Sequence, residues 1–203
     1  MRIIENESKP GAYVMVILGL ISAYFGFYIL TGILFFTLML WLFFCSSKLI
    51  NPTSPSAIVS PINGVIDDVK YDGQSVEFTI ISRFNGRIYA PCDLHETKVK
   101  KCHGFYFMRN SELSNQIGVC ESMLAKTVIE DENLVIEIEI RPRLFSFCSL
   151  HSNKTESLFL EKIGFLNVGS LQINIKGNNL KVIAKKNEKV MGGISQLIRI
   201  ENL

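Results

Sequence analysis

Charge and proline are both missing from a long stretch near the start of the chain. From Ala12 to Cys45 there is no charged residue and no proline, whereas the rest of the chain mixes charged with β-branched residues as a water-facing domain does. The stretch is well beyond the roughly 20 apolar residues that a bilayer-crossing helix needs. We therefore predict a membrane segment over residues 12–45, preceded by an N-terminal tail of residues 1–11.

The length of this apolar run leaves two arrangements open. It forms either one long tilted helix or a hairpin of two short helices that turns near Gly26 to Gly32. We favour the hairpin, because the flanking basic residues Arg2, Lys9 and Lys48 are compatible with a cytoplasmic face on both sides. The expected location is the cell (inner) membrane, with the downstream domain facing the cytoplasm. A cleaved signal peptide would be shorter and would end at small residues.

The cysteine and charge patterns exclude several functional classes. The five cysteines, at positions 45, 92, 102, 120 and 148, include no Cys-x-x-Cys, so the pattern of a zinc site or of a disulfide framework is missing. We expect free thiols in a reducing compartment and no metal. A net charge of +2 is too small to indicate nucleic acid as a partner. Lysine clusters at 98–101 and 185–189 either meet anionic lipid headgroups or form solvated strand faces.

Downstream of a predicted linker over residues 46–59, which contains Pro52 and Pro55, the hydrophobic period becomes that of strands. Leu134 to Ile140 alternates apolar and acidic residues, and further strands are predicted over Ser75–Ser82 and Arg87–Ala90. Residues 171–175 and 180–184 flank a turn-rich tetrapeptide and are predicted to pair as a hairpin.

Two segments are less regular. Residues 111–116 are predicted to form a short turn, and residues 143–150 are either a helix or a buried strand. Residues 186–193 have the charged-turn, valine and glycine rhythm of flattened β-sandwiches. The predicted fold class is therefore mostly β, with a flattened β-sandwich or barrel-sandwich-like domain over residues 60–203 behind an N-terminal transmembrane or hairpin helical segment.

Three short stretches carry the functional hypothesis. In chain order they are Ser60-Pro61-Ile62-Asn63-Gly64-Val65-Ile66, Ala90-Pro91-Cys92-Asp93-Leu94-His95 and Lys162-Ile163-Gly164-Phe165-Leu166-Asn167-Val168-Gly169-Ser170. The first resembles Ser-Pro-x-Asp-Gly-x-Val and the second Ser-Pro-x-Asp-x-His, two motifs of the phosphatidylserine decarboxylase family. The third is similar to the strand that leads into the Gly-Ser cleavage site of that family. The resemblance covers nearly the whole chain and is strongest to the short, archaetidylserine decarboxylase-like branch.

The resemblance implies a self-made cofactor. Gly169-Ser170 is the only Gly-Ser dipeptide of the chain, and a serine that attacks the preceding carbonyl needs a base and a strained or sharply turned peptide. Cleavage between residues 169 and 170 would convert Ser170 into a pyruvoyl group and leave two associated chains, β ending at Gly169 and α beginning at the pyruvoyl group. His95 is the candidate acid and base, since imidazole titrates near neutrality.

The implied reaction is decarboxylation of a phosphatidylserine-like membrane phospholipid to a phosphatidylethanolamine-like lipid, with the pyruvoyl ketone as electron sink. Asn63 stands where the family has the aspartate that orients the histidine. An amide can fix the tautomer of an imidazole but cannot stabilise an imidazolium by charge. The family's aromatic-Arg-Asp-Pro segment is replaced by Phe44-Cys45-Ser46-Ser47, and its Asn-Glu-Arg stretch is reduced to Ser114-Asn115-Gln116.

These departures keep other hypotheses open. The chain is either a decarboxylase with catalytic Ser170, His95 and Asn63, or a non-catalytic, membrane-anchored pseudoenzyme or lipid-binding scaffold of the same fold. An adaptor of the membrane-fusion type is disfavoured, because such adaptors usually carry long coiled coils and this chain has no room for one. The oligomeric state, including a homo-oligomer, is left open by the sequence.

Overall fold

The computed structural model describes residues 9–44, 57–83, 86–107, 117–129, 132–143, 146, 148–151 and 155–200. The chain divides into two compact units, Met1–Leu49 and Ile50–Leu203. Within the described residues the first unit contains helices α1 (Lys9–Tyr24) and α2 (Tyr28–Phe44). The second contains strands β1 (Ala57–Val59), β2 (Gly64–Tyr71), β3 (Ser75–Arg83), β4 (Arg87–Tyr89), β5 (Leu94–Cys102), β6 (Cys120–Ile129), β7 (Glu132–Pro142), β8 (Cys148–Leu150), β9 (Glu156–Ser157), β10 (Lys162–Leu166), β11 (Val168–Lys176), β12 (Leu180–Val182), β13 (Lys189–Val190) and β14 (Gln196–Ile200). The chain is mostly β, as predicted.

The apolar run forms two helices that are separated by a short turn. Gly26 in the turn has a φ of 77°, a left-handed conformation that glycine adopts without steric cost. The hydroxyls of Ser22 on α1 and Thr31 on α2 are 2.7 Å apart and hydrogen-bonded, so the helices contact each other on either side of the turn. Of the two arrangements left open by the sequence, the structure has the one with two helices.

Neither helix in the described part of the chain combines the length and the apolar character needed to cross a membrane.

The β unit contains three sheets. The largest has eight strands in the order β13-β2-β3-β11-β7-β6-β5-β9, and the two smaller sheets have the orders β1-β14-β12 and β4-β10-β8. Along the central strand β11, Leu171, Ile173 and Ile175 are fully buried, and the residues between them point to the opposite face of the sheet. The buried faces of all three sheets contribute to one hydrophobic core.

Most predicted strands are confirmed, but one predicted pairing is wrong. Strands β3, β4 and β7 cover the predicted segments. The hairpin predicted between residues 171–175 and 180–184 does not form, because β11 is already paired on both edges, with β3 and β7. After a turn that includes Asn179 at a φ of 55°, the chain leaves the large sheet and β12 pairs with β14 instead.

Two other predictions need comment. The end of the predicted linker, Ala57–Val59, is strand β1 and pairs with β14, because its three apolar side chains are buried in the core. The open segment 143–150 includes strand β8. The turn predicted over residues 111–116 and the linker residues 46–56 lie outside the described residues.

Candidate functional site

Gly169 and Ser170 lie inside strand β11, in the middle of the large sheet. Gly169 is paired with Ser82 and Pro142, and Ser170 with Ile81 and Arg141. Neither residue has a positive φ; the described glycines that do are Gly26, Gly73 and Gly193. The peptide bond between Gly169 and Ser170 is therefore part of a regular extended strand with a neighbour on each side.

The side chain of Ser170 points away from the core, since the flanking core residue Leu171 points into it. Ser170 is nevertheless only 2% exposed. Its neighbour across the sheet, Arg141, lies on the same face, and the Arg141 Nε donates to Glu139 Oε1. A guanidinium has hydrogen-bond donors but no acceptor, so Arg141 cannot accept a hydrogen bond from the Ser170 hydroxyl.

His95 lies at the other end of the sheet. It is on β5, opposite Lys126 of β6 and Glu156 of the edge strand β9. The His95 side chain is 48% exposed, and its Nδ1 is 3.6 Å from Glu156 Oε1. The imidazole therefore belongs to a solvated surface pair.

The strand registers give the separation between the two residues. His95 is opposite Lys126 on β6, Lys126 is opposite Val135 on β7, and Val135 is opposite Lys176 on β11. These four residues form one row across the sheet. Lys176 is six residues beyond Ser170, which is about 20 Å along an extended strand, and the three strand steps from β11 to β5 add about 14 Å across the sheet. A general base must come within about 3 Å of the proton it takes, so the structure does not bring His95 and Ser170 together.

Asn63 is at the same end of the sheet as Ser170. It immediately precedes β2, in which Val65 is opposite Ile81, and Ile81 is in turn opposite Ser170. We call this end the serine end, defined by the row Val65, Ile81, Ser170 and Arg141. The other end, defined by the row Lys176, Val135, Lys126 and His95, is the histidine end.

The side chain of Asn63 already has a partner. Its Oδ1 accepts a hydrogen bond of 2.7 Å from the backbone N–H of Gly192. Nearby, Ser60 N–H donates to Ser195 O at 2.8 Å and Gly193 N–H donates to Ser60 O at 2.7 Å. Asn63 thus helps to fasten the first motif to the turn over residues 191–195, and its amide oxygen is directed to a backbone amide.

The three motif stretches are brought together by backbone hydrogen bonds at their borders. Val59 N–H donates to Pro91 O at 3.2 Å and Tyr89 N–H to Pro61 O at 2.8 Å, which joins the first stretch to the second. Strand β4, just before the second stretch, pairs with β10 in the third. The stretches therefore converge in space although His95 diverges from Ser170.

The other two histidines are also accounted for. His103 follows Cys102 at the end of β5 and so lies at the serine end, but on a strand about 14 Å across the sheet from β11. His151 follows β8, where its Nδ1 is 3.3 Å from Ser149 Oγ.

The thiols of Cys92 and Cys148 have raised pKa values. Burial raises the pKa of Cys92, in the second motif, to about 12, and burial together with the nearby Glu121 carboxylate raises that of Cys148 to about 12. Thiols of this kind are protonated at neutral pH and are poor nucleophiles.

In the part of the chain that the structure describes, no group of three or more His, Cys, Asp or Glu could hold a metal ion.

Two residues near Ser170 were missed by the sequence reasoning. Arg141 could have been found, because it continues the acidic alternation of β7 on the same face as Glu137 and Glu139. Asn167 could not, since its position follows from the crossing of the chain from β10 to β11. It is 6% exposed, and its Oδ1 has no hydrogen-bond partner among the residues that the structure describes.

Comparison with known proteins adds no relative. The chain matches no protein-family model, no curated protein and no solved structure.

Proposed function

We propose that this chain is a non-catalytic, membrane-associated lipid-binding scaffold, related to the phosphatidylserine decarboxylases by its three motif stretches. The observation that carries the proposal is the strand register, which separates His95 from Ser170 by three strands and six residues. The regular extended backbone at Gly169 and Ser170 supports it further, because self-cleavage needs a base and a strained peptide. The three sheets around one core are compatible with the finer barrel-sandwich-like fold proposed for this domain.

Association with a membrane is supported by the helical hairpin. Large apolar side chains are exposed all around it, including Leu20 at 68%, Ile29 at 84% and Phe36 at 64%. A helix that is apolar on every side is stable when it is surrounded by protein or lipid. We propose that lipid surrounds the hairpin at the cell (inner) membrane, with the β unit on the cytoplasmic side, and that phospholipid is the partner of this protein.

A second candidate function is pyruvoyl-dependent phosphatidylserine decarboxylation. It is favoured by the convergence of the three stretches through the hydrogen bonds from Val59 to Pro91 and from Tyr89 to Pro61, and by the position of Asn63 at the serine end. In that case a rearrangement would have to bring His95, the base that the sequence predicts, to Ser170 before cleavage.

The intact mass of the protein separates the two candidates. The full chain is expressed, purified from the membrane fraction in detergent and compared with its Ser170→Ala variant. The scaffold proposal predicts a single uncut chain of 22.9 kDa with an unmodified serine. The Ser170→Ala variant should also be a single chain, lighter by the mass of one oxygen atom. Two fragments that separate after Gly169, with a pyruvoyl-blocked second fragment and an uncut variant, would establish the decarboxylase instead.

A further inference from the structure

Two cysteines face each other across strands β5 and β6 at the serine end. Cys102 is the direct register partner of Cys120, and both are half-buried free thiols. Directly opposite Cα atoms in an antiparallel pair are about 4.5 to 5.5 Å apart, and disulfides join Cα atoms about 4.4 to 6.8 Å apart. The pair therefore lies within the range of a disulfide without movement of the backbone.

The side chains as well as the backbones meet. The pKa of Cys120 is raised to about 11, first by burial and next by the neighbouring Cys102 side chain. Side chains of directly opposite residues point to the same face of a sheet. The two sulfur atoms are thus neighbours in the reduced protein.

The backbone on both sides of the pair holds this geometry. On one side, Lys101 and Glu121 are register partners, and Lys101 Nζ is 3.3 Å from Glu121 Oε1. On the other, Phe105 N–H donates to Ile117 O at 3.0 Å and Val119 N–H donates to Phe105 O at 3.1 Å. The backbone at Phe105 can approach Ile117 this closely because residue 104 is glycine: a Cβ there would lie 2.3 Å from Ile117 O.

We propose that Cys102 and Cys120 are a redox modification site, at which a low-molecular-weight disulfide such as oxidised glutathione introduces a reversible disulfide joining the two ends of segment 103–119. A thiolate of one cysteine attacks the small disulfide and expels one glutathione thiolate, which leaves a mixed disulfide. The thiolate of the other cysteine attacks the protein sulfur of that bond and expels the second. Two protein thiols are oxidised to one disulfide, and one small disulfide is reduced to two thiols. The two protons that the protein thiols lose are taken up by the two expelled glutathione thiolates, so no proton is released overall.

The other cysteines provide internal controls. Cys92 is 3% exposed in the core, and Cys148 is on β8, which pairs with β10 in a different sheet. Cys92 lies between β4 and β5, and neither it nor Cys148 is the register partner of Cys102 or Cys120. If oxidation is directed by the fold, these thiols stay reduced while Cys102 and Cys120 react.

The test uses the reduced full chain in detergent, incubated with mixtures of oxidised and reduced glutathione, alkylated under acidic quench and digested with trypsin. The sequence provides one peptide of residues 102–109 and another of residues 110–126. We expect these two to be recovered as a linked pair, lighter by two hydrogens than their sum and separated again by dithiothreitol. The link should be lost in Cys102→Ser and in Cys120→Ser and retained in Cys148→Ser.

Several results would overturn the proposal. They are glutathione adducts on both cysteines without a link, a link from either cysteine to residue 45, 92 or 148, or unmodified thiols at every glutathione ratio. Differential alkylation of the unmutated chain before and after oxidation gives the same answer without a variant, so a serine substitution that fails to fold does not leave the question open. The outcome is independent of whether Ser170 is cleaved.

Discussion

The serine end and the histidine end of the large sheet share strands β11 and β7 but differ in packing. At the serine end, Ser170 is almost fully buried and Gly169 has backbone on both sides. At the histidine end, His95 and Lys126 are exposed; the His95 Nδ1 is 3.6 Å from Glu156, and Lys126 forms a surface salt bridge with Glu96. The residues with the catalytic resemblance are thus divided between a tightly packed region and a solvated one.

This difference teaches why a short motif is weak support for an active site. The spacing of residues along a chain fixes neither the strand order nor the register, and these decide which side chains meet. Here β7 and β6 lie between the strand of Ser170 and that of His95. The following predictions test how far the two ends differ.

The largest difference is expected from adding a methyl group to a glycine at each end. In Gly169→Ala the new Cβ would lie 2.3 Å from the backbone oxygen of Arg141, whereas in Gly177→Ala it would meet first a terminal methyl of Leu134. Backbone in the centre of a sheet cannot move aside as a side-chain end can. We expect losses in the free energy of unfolding of about 3 kcal/mol for Gly169→Ala and about 1 kcal/mol for Gly177→Ala.

The measurement is urea unfolding of the full chain in detergent, followed by circular dichroism in the strand region. Equal losses in the two variants would mean that the serine end is not the more rigid of the two.

Much of the fold follows from the sequence, for a physical reason. The alternation of Leu134 to Ile140 and the apolar run before Cys45 report local periodicity, and local periodicity determines which face of a strand or helix is buried. The pairing of β12 was predicted wrongly because a turn-rich tetrapeptide suggests a hairpin, while the free edge of β11 is removed by the distant strands β3 and β7. The candidate site depends on such distant pairings entirely, so the sequence could name Asn63, His95 and Ser170 but not their separation.

A smaller difference is expected from two glutamates. Glu121, near the serine end, is 8% exposed and accepts a 2.6 Å hydrogen bond from Leu150 N–H as well as pairing with Lys101. The Glu156 side chain, at the histidine end, is 69% exposed. Removal of a buried acceptor leaves its donor unsatisfied, so Glu121→Ala should cost about 2 kcal/mol of unfolding free energy, whereas an exposed pair contributes little.

The same unfolding assay, with Glu156→Ala as the matched control, checks this. Glu121→Gln should fall between the two, because an amide oxygen can still accept from Leu150. A loss at Glu156 as large as that at Glu121 would show that the histidine end is a structural site and would contradict its description as a solvated surface.

The smallest effect is expected at Asn63, where it also bears on function. Asn63→Ala removes the acceptor for Gly192 N–H and should cost about 1 kcal/mol. Asn63→Asp keeps an oxygen at the same position, so its unfolding free energy should stay close to that of the unmutated protein. If the protein is the proposed scaffold, this hydrogen bond is the role of the Asn63 side chain, and both variants should remain uncut single chains.

If Asn63→Asp instead produced two fragments that separate after Gly169, the aspartate would have restored a working base arrangement. If the imidazole that works with this carboxylate is that of His95, the strand registers would then describe a state before rearrangement, because they place His95 at the histidine end. The double variant Asn63→Asp, His95→Gln identifies that imidazole: cleavage lost in the double variant would assign it to His95, and cleavage retained would assign it to another histidine.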